Sequence, residues 1–292
     1  MQRLQSPESA TLYVVSTPIG NLDDITLRAI ETLKQVDIVA AEDTRHTRHL
    51  LDHFAIATSL LAYHEHNEEK TARQLLSRLE QGQSIALVSD AGTPLIADPG
   101  YRLVKAVSEA GFAVVPIPGV SALITALSVA GLATDRFSFE GFLPAKEEAR
   151  KKRLTSLLRE PRTLVFYEAP HRIVASLQSM AEVLGAEREA ALARELTKRF
   201  ETVLRAPLGK LAQQVTSDAN QQRGEMVLLL QGNTAQADAD SEQVIETLTT
   251  LLQELPLKQA AGLASKLTGI KKNRLYQMAL SITDKAKDNS GA

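Results

Sequence analysis

The chain contains no cysteine and no tryptophan. Without thiols it forms no disulfide, no Cys-ligated zinc or iron–sulfur centre and no thiol nucleophile, and a chain without disulfides fits a reducing compartment. Aromatic side chains make up only 4% of it, so stacking of bases on an aromatic platform is not the obvious way for it to hold a nucleic acid. No apolar run approaches the roughly 20 residues of a membrane span. Residues 1–10 are polar, with Pro7 and Glu8, and lack the basic-then-apolar layout of a secretory signal. A soluble cytoplasmic protein is the expectation. Charges of the two signs nearly cancel, leaving −2, so any nucleic-acid contact must use locally clustered positive charge. Neither GxxxxGK[ST] nor GxGxxG occurs, which makes a P-loop ATPase or a standard nicotinamide-dependent enzyme a poor reading.

What is present is an ordinary globular balance over 292 residues, enough for about two domains. Strand-like and helix-like segments alternate. Residues 11–16, 36–40, 84–89 and 113–117 are short, apolar and β-rich; residues 24–34, 74–79 and 101–110 have helical spacing. Such alternation predicts βαβ units around a mostly parallel sheet. Pro116-Ile117-Pro118-Gly119 is expected to stop a strand and turn the chain. A small-residue helix, 120–130, follows. A second α/β stretch then has strands at 136–140, 162–167, 190–193 and 225–230 and helices at 147–158 and 173–184. The predicted organisation is a tail over 1–10, an α/β domain over 11–118, a second over 119–232, a small, acidic linker over 233–241, a helical module over 242–283 and a tail over 284–292. Within the module, helices are expected at 242–255, 257–267 and 271–282.

Loops of unusual composition follow the predicted strands, where open α/β sheets bind ligands. They are Thr17–Asn21 (TPIGN), Glu42–Thr47 (EDTRHT), Ser89–Pro94 (SDAGTP) with Asp98–Gly100 (DPG), and Pro118–Ser121 (PGVS). Each alone reads as a turn. Together, TPIGNL, AEDTRHT, VSDAGTPLIADPG and PIPGVSALITALSVAGL, with FEGFLPAK, FYEAPHRI, ARELTK and RGEMVLLL, resemble the class III methyltransferases of the tetrapyrrole-methylase fold. Within that fold the set is similar to the bacterial family that 2′-O-methylates a cytidine of 16S ribosomal RNA, 1402 in the usual rRNA numbering. The resemblance runs from about Thr11 to Leu230, and LPLKQAA…KKNRLYQMAL near the end also fits.

The resemblance implies two α/β domains with S-adenosyl-L-methionine in the cleft between them, a small-subunit ribosomal substrate and a homodimer. It implies that Asp90, Ala91, Gly92, Thr93 and Pro94 form the cofactor loop of the first domain. Val120, Ser121 and Ala122 follow the hinge. Glu140, Gly141, Phe142 and Leu143 approach from the second domain, and Gly224, Glu225 and Met226 complete the adenine end. The same scaffold leaves two other functions open: a class III methyltransferase with a small-molecule or protein acceptor, or a non-catalytic RNA-binding or ribosome-assembly protein.

A ribose hydroxyl is a poor nucleophile while protonated, so methyl transfer needs alignment and a proton acceptor or a stabiliser of developing charge. Glu42, Asp43 and Arg45 in the first half and Glu168 in the second are the candidate catalytic residues, with His46, His171, Arg172, Arg194, Glu195 and Lys198 nearby in pattern. The alternative is a carboxylate–arginine network that only joins loops. His49 and His53 stand four apart on an expected helix, and His64 and His66 flank Glu65, but neither pair has a third ligand at a recognised spacing. They read as surface or loop histidines, and no metal is expected.

Between Pro256 and Leu280 the charged side chains are Lys258, Lys266, Lys271, Lys272 and Arg274, with no Asp or Glu. Thr268-Gly269 supplies a turn, giving a helix-turn-helix arrangement with Lys271, Lys272 and Arg274 at the start of the later helix. These three are the candidate RNA contacts; a solvated face of a dimerisation module is the other reading. Reversing their charges is expected to weaken binding to small ribosomal subunits and flatten its salt dependence while sparing cofactor affinity. Unchanged binding in a salt titration would remove the RNA role from this patch.

Overall fold

The computed structural model describes residues 10–64, 67–233 and 242–289. The expected N-terminal tail before Ala10, most of the expected linker, and His66 lie outside the described residues. The chain divides into two compact units on either side of Gly232 and Asn233.

The first sheet consists of β1 (Thr11–Val15), β2 (Ile38–Ala41), β3 (Ser59–Ala62), β4 (Ile85–Val88) and β5 (Ala113–Ile117). All its pairings are parallel, in the order β3-β2-β4-β1-β5. Parallel strands covered on both faces read as continuous apolar runs. Accordingly, Ile38, Ala40, Ile85 and Leu87 pack under α3 (Glu68–Glu80) and α4 (Tyr101–Glu109). Val39, Ala41, Ala86 and Val88 pack under α1 (Leu27–Gln35) and α2 (Thr44–His53). Helix α1 starts later than its periodicity predicts because Thr26 caps it, its hydroxyl accepting the Ala29 N–H at 3.1 Å. Strand β5 ends at Ile117, within the expected stop, and includes Pro116. The strand lies at the sheet edge, where one side needs no ladder donor.

Helix α5 (Ala122–Ala130) follows β5 but packs on the second sheet, with Leu123, Ala126 and Leu127 against Val165, Ala191 and Val227. That sheet holds β6 (Phe137–Phe142), β7 (Thr163–Glu168), β8 (Glu189–Arg194), β9 (Thr202–Pro207) and β10 (Met226–Leu230), in the order β6-β7-β10-β8-β9. Only β6 and β7 run parallel; the other three pairings are antiparallel. The parallel βαβ pattern therefore holds throughout the first sheet, and in the second only for β6, α6 and β7. Helices α6 (Glu147–Ser156), α7 (Ile173–Leu184) and α8 (Leu208–Ser217) cover the face away from α5. The antiparallel register sets the start of β10 beside the ends of β7 and β8, with Met226 opposite both Glu168 and Arg194.

The second unit contains α9 (Glu242–Glu254), α10 (Leu257–Thr268) and α11 (Lys272–Asn289) around Val244, Leu248, Ala261, Ala264, Leu275 and Ala279. Gly269, at φ 72°, ends α10 in the left-handed conformation that spares glycine a Cβ clash. Helix α11 runs to Asn289, past the expected start of the tail at Asp284. Lys271, Lys272 and Arg274 are exposed at its beginning.

Gly119 passes so close to β1 that a Cβ built there lies 2.9 Å from the Ser16 Cβ. Gly119→Ala should lower stability by about 1–3 kcal/mol, the usual cost of overpacking. A denaturation midpoint equal to the parent's would contradict that tight crossing.

Candidate active site

The strand order reverses at β1 and β4, and in open α/β sheets ligands bind in the crevice outside such a switch point. There the loops after β1, β4 and β5 are tied together. Thr17 N–H donates to the Gly92 carbonyl at 2.9 Å and Gly92 N–H donates back to Thr17 at 3.0 Å. The Thr17 hydroxyl donates to the Ser89 carbonyl at 3.2 Å. The Thr93 hydroxyl lies 2.9 Å from that of Ser16 and donates to the Val120 carbonyl at 3.1 Å. Gly92, at φ 81°, adopts a conformation other residues resist. Leu95 and Ala97 hold positive φ without being glycine, strain of order 1 kcal/mol or more each, which collects where a loop's shape serves a site.

These loops face the edge of the second sheet formed by the ends of β6, β7 and β8 and the start of β10. A cavity of about 360 Å³ lies between, within the range of small-molecule sites. Of the expected cofactor residues, Ala91, Gly92, Thr93, Ser121 and Ala122 line it from one side, and Phe142, Glu225 and Met226 from the other. Asp90, Pro94, Val120, Glu140, Gly141, Leu143 and Gly224 do not line it. Asp90 Oδ1 accepts the Asp43 N–H at 2.9 Å. Pro94 is buried in the loop. Val120 contributes its carbonyl to Thr93. Glu140 pairs with Arg153 and accepts from Ser138. Gly141 sits at a break in the β6–β7 register. Leu143 belongs to the core and Gly224 packs against Glu195.

Asp98, Tyr167, Ile19, Ile96 and Leu196 also line the cavity and were not among the expected residues. Asp98 lies in a loop already marked by its Asp-Pro-Gly composition. Apolar lining residues carry no such mark, since they read like any core residue. Tyr167 packs edge-on against Phe142, ring centres 5.9 Å apart.

The four expected catalytic residues separate. Asp43 caps α2, its Oδ1 accepting the Arg45 N–H at 2.8 Å, and it pairs with the exposed Arg45 guanidinium at 2.9 Å. The hydrogen bonds from Arg45 hold the Asp43 carboxyl down to about 2. Glu168 lines the cavity but is 3% exposed, and both oxygens are engaged. Ser176 donates to Oε2 at 2.5 Å, Ala169 N–H donates to Oε1 at 2.9 Å, and Arg172 stands 3.3 Å away. Glu42 differs: burial, then the nearby Asp98 and Asp90 charges, push its pKa up. Burial also raises Asp98; the Asp90 charge adds to this and a hydrogen bond from Ser89 opposes it. Lys198 bridges Glu195 and Glu225, at 3.0 Å each.

The cavity lining thus carries Asp98, Glu168 and Glu225 and, among the described residues, no Lys, Arg or His. That donor set suits a ligand with positive charge and disfavours a phosphate. No group of residues suited to a metal occurs among the described residues.

A family model for tetrapyrrole (corrin/porphyrin) methylases matches residues 11–212. The chain belongs to that family. A second model, the RsmI C-terminal HTH domain, matches residues 238–283. This tetrapyrrole methylase-family chain is 56% identical to the ribosomal RNA small subunit methyltransferase I of Pseudomonas aeruginosa, over 93% of this chain and 97% of that one. It is 54% identical to the protein of the same name from Escherichia coli O157:H7, over 96% and 99%. Its fold is shared by the uroporphyrin-III C-methyltransferase of Thermus thermophilus solved with S-adenosylhomocysteine. That match has a TM-score of 0.53 at 21% identity, over 76% of this chain and 97% of that one.

A carboxyl whose folded pKa is raised favours folding only while protonated; that benefit is complete below the unfolded pKa and lost as pH rises through the folded one. Glu42→Gln should therefore raise the melting midpoint at pH 7, by no more than a few degrees, with the gain vanishing below about pH 4. A midpoint lowered at pH 7 would show that the Glu42 charge is satisfied.

Proposed function

We propose that this protein transfers a methyl group from S-adenosylmethionine to the ribose 2′-hydroxyl of a cytidine in 16S ribosomal RNA, cytidine 1402 in the usual numbering. The observation that carries the reading is the identity of more than half, along nearly the whole chain, with proteins named as small-subunit rRNA methyltransferases. The cavity supports the cofactor assignment: a sulfonium and an ammonium are both cationic, and Asp98, Glu168 and Glu225 line the cavity while Arg172 and Lys198, which pair with two of them, do not.

Bound there, the cofactor supplies a methyl group that needs little activation beyond in-line approach of a nucleophile. The chain's own part is alignment and proton handling. The Gly92 backbone and the Ala122 and Met226 side chains shape the cavity, and Asp98 and Glu225 offset positive charge. Asp98, whose pKa burial pushes up, is the group we assign to accept the hydroxyl proton, because a more basic carboxylate is the better acceptor at neutral pH. The neighbouring Asp90 charge adds to that basicity. Glu168 has no free lone-pair direction comparable to Asp98 and holds the turn after β7. Asp43 and Arg45 pair with each other at the start of α2, outside the cavity lining.

Lys271, Lys272 and Arg274 give the second unit its docking charge for RNA phosphates. A ribosomal substrate puts the reaction in the cytoplasm, and no helix among the described residues is long and apolar enough to cross a membrane.

The test is to incubate the protein with methyl-labelled S-adenosylmethionine and small subunits lacking the modification, then map the label by digestion and mass spectrometry. Label on a cytidine ribose is the expected result, and Asp98→Asn should slow the transfer about 100-fold or more. Cofactor binding without label on RNA would leave the fold and reopen the acceptor.

A further inference from the structure

A second cavity, of about 220 Å³, is bordered by the same two loops as the first but by different residues of them. Ser89 and Asp90 line it, whereas the next residues of the same loop, Ala91, Gly92 and Thr93, line the larger one. The loop after β1 divides the same way: Thr17, Pro18 and Gly20 border the small cavity and Ile19 the large one. Successive Cα atoms are about 3.8 Å apart, so a group held at Asp90 lies next to whatever occupies the cofactor cavity at Ala91.

The lining of this second cavity is chemically specific. Pro18, Leu22 and Leu50 provide apolar surface, and His46 and His49, three apart on α2, provide two imidazole rings on one helix face. No Lys or Arg borders it among the described residues, and Asp90 does, which disfavours a phosphate. Thr47 is 2% exposed, lines the cavity, and its hydroxyl has no hydrogen-bond partner among the described residues. A buried hydroxyl without a partner is costly and calls for one. The volume is below the roughly 300 Å³ at which sites for drug-sized ligands begin, too small for a second cofactor and suited to a single flat heterocycle.

We propose that this cavity receives the base of the nucleotide being methylated, with the Asp90 carboxylate accepting a hydrogen bond from the exocyclic amine of cytosine. The inference rests on the reading that the acceptor is a cytidine ribose. A carboxylate accepting from that amine is a recognised way to read cytosine. Uracil presents a carbonyl oxygen at the same place and meets the carboxylate acceptor to acceptor. The imidazoles of His46 and His49 supply the stacking surface that the scarcity of Phe, Tyr and Trp withholds. Thr47 offers the ring a second polar contact. Asp90 is then a specificity residue that touches the substrate base, while its other oxygen stays on the Asp43 N–H.

Asp90→Asn separates these roles. The amide oxygen can keep the bond from Asp43, while the atom facing the cavity changes from acceptor to donor. The experiment compares single-turnover kcat/KM on small subunits reconstituted with cytidine or uridine at the target position, alongside calorimetric titration of each protein with S-adenosylmethionine. The unaltered protein is expected to prefer cytidine by about 5-fold or more. Asp90→Asn should erase or invert that preference with cofactor affinity within twofold of the parent's. His49→Ala, at an exposed position, should raise KM for the subunit several-fold with kcat little changed. Transfer by Asp90→Asn with the cytidine preference intact, or a variant that has lost cofactor affinity instead, overturns the base assignment and leaves the methyl-transfer reading standing. No transfer by the unaltered protein to either subunit overturns that reading and the base assignment together.

Discussion

The double hydrogen bond between Thr17 and Gly92 is the tie on which the site depends. It joins the loops after β1 and β4 at the point where strand order reverses, and Ser16, Thr93 and Val120 extend it to the loop after β5. Strand ends are otherwise free to splay. With three of them locked, Ile19 enters the core of the second half, beside Leu123 and Leu196. The two halves are thereby joined by packing as well as by chain, and a cavity stays open where their strand edges meet. The left-handed Gly92 and the strained Leu95 and Ala97 are local costs that this arrangement bears, offset by apolar burial on both sheets.

Electrostatics gives the cavity its character. Asp98, Glu42 and Asp90 lie close together: the Asp98 and Asp90 charges discourage ionisation of Glu42, and Asp90 that of Asp98. A fold under selection for stability alone would separate them or insert a lysine. Instead the basic partners are set to the side: Arg45 is committed to Asp43, Arg172 stands against Glu168, and Lys198 bridges Glu195 and Glu225. An electropositive ligand relieves the repulsion when it binds. The destabilising cluster is in that sense part of the binding free energy.

Much of this architecture was legible in the sequence. Continuous apolar runs marked the parallel strands, and helix α7 and strand β5 fall where periodicity puts them. Glycine and proline after strands located the loops that line the cavity. Strand direction was not legible in the second half: β8 and β10 are nearly continuous buried runs, which leave the direction of pairing open. Strands β3 and β9 contain no fully buried residue, which left little burial pattern to detect. Among site residues, side-chain type alone did not separate Glu42 from Asp43, although one is partly buried among like charges and the other caps a helix beside an arginine. Asp90 and Ala91 are neighbours in sequence but face different cavities, a distinction that only the backbone path makes.

The central claim is that the carboxylate-lined cavity between the two sheets holds the cofactor. A crystal structure of the protein with S-adenosylhomocysteine tests it most directly. The account predicts density for the ligand in that cavity, against Gly92, Ala122 and Met226, with the Asp98 carboxylate beside its sulfur and Asp90 outside its contacts. Density at another place on the protein, or an ordered cavity left empty at saturating ligand, would contradict it.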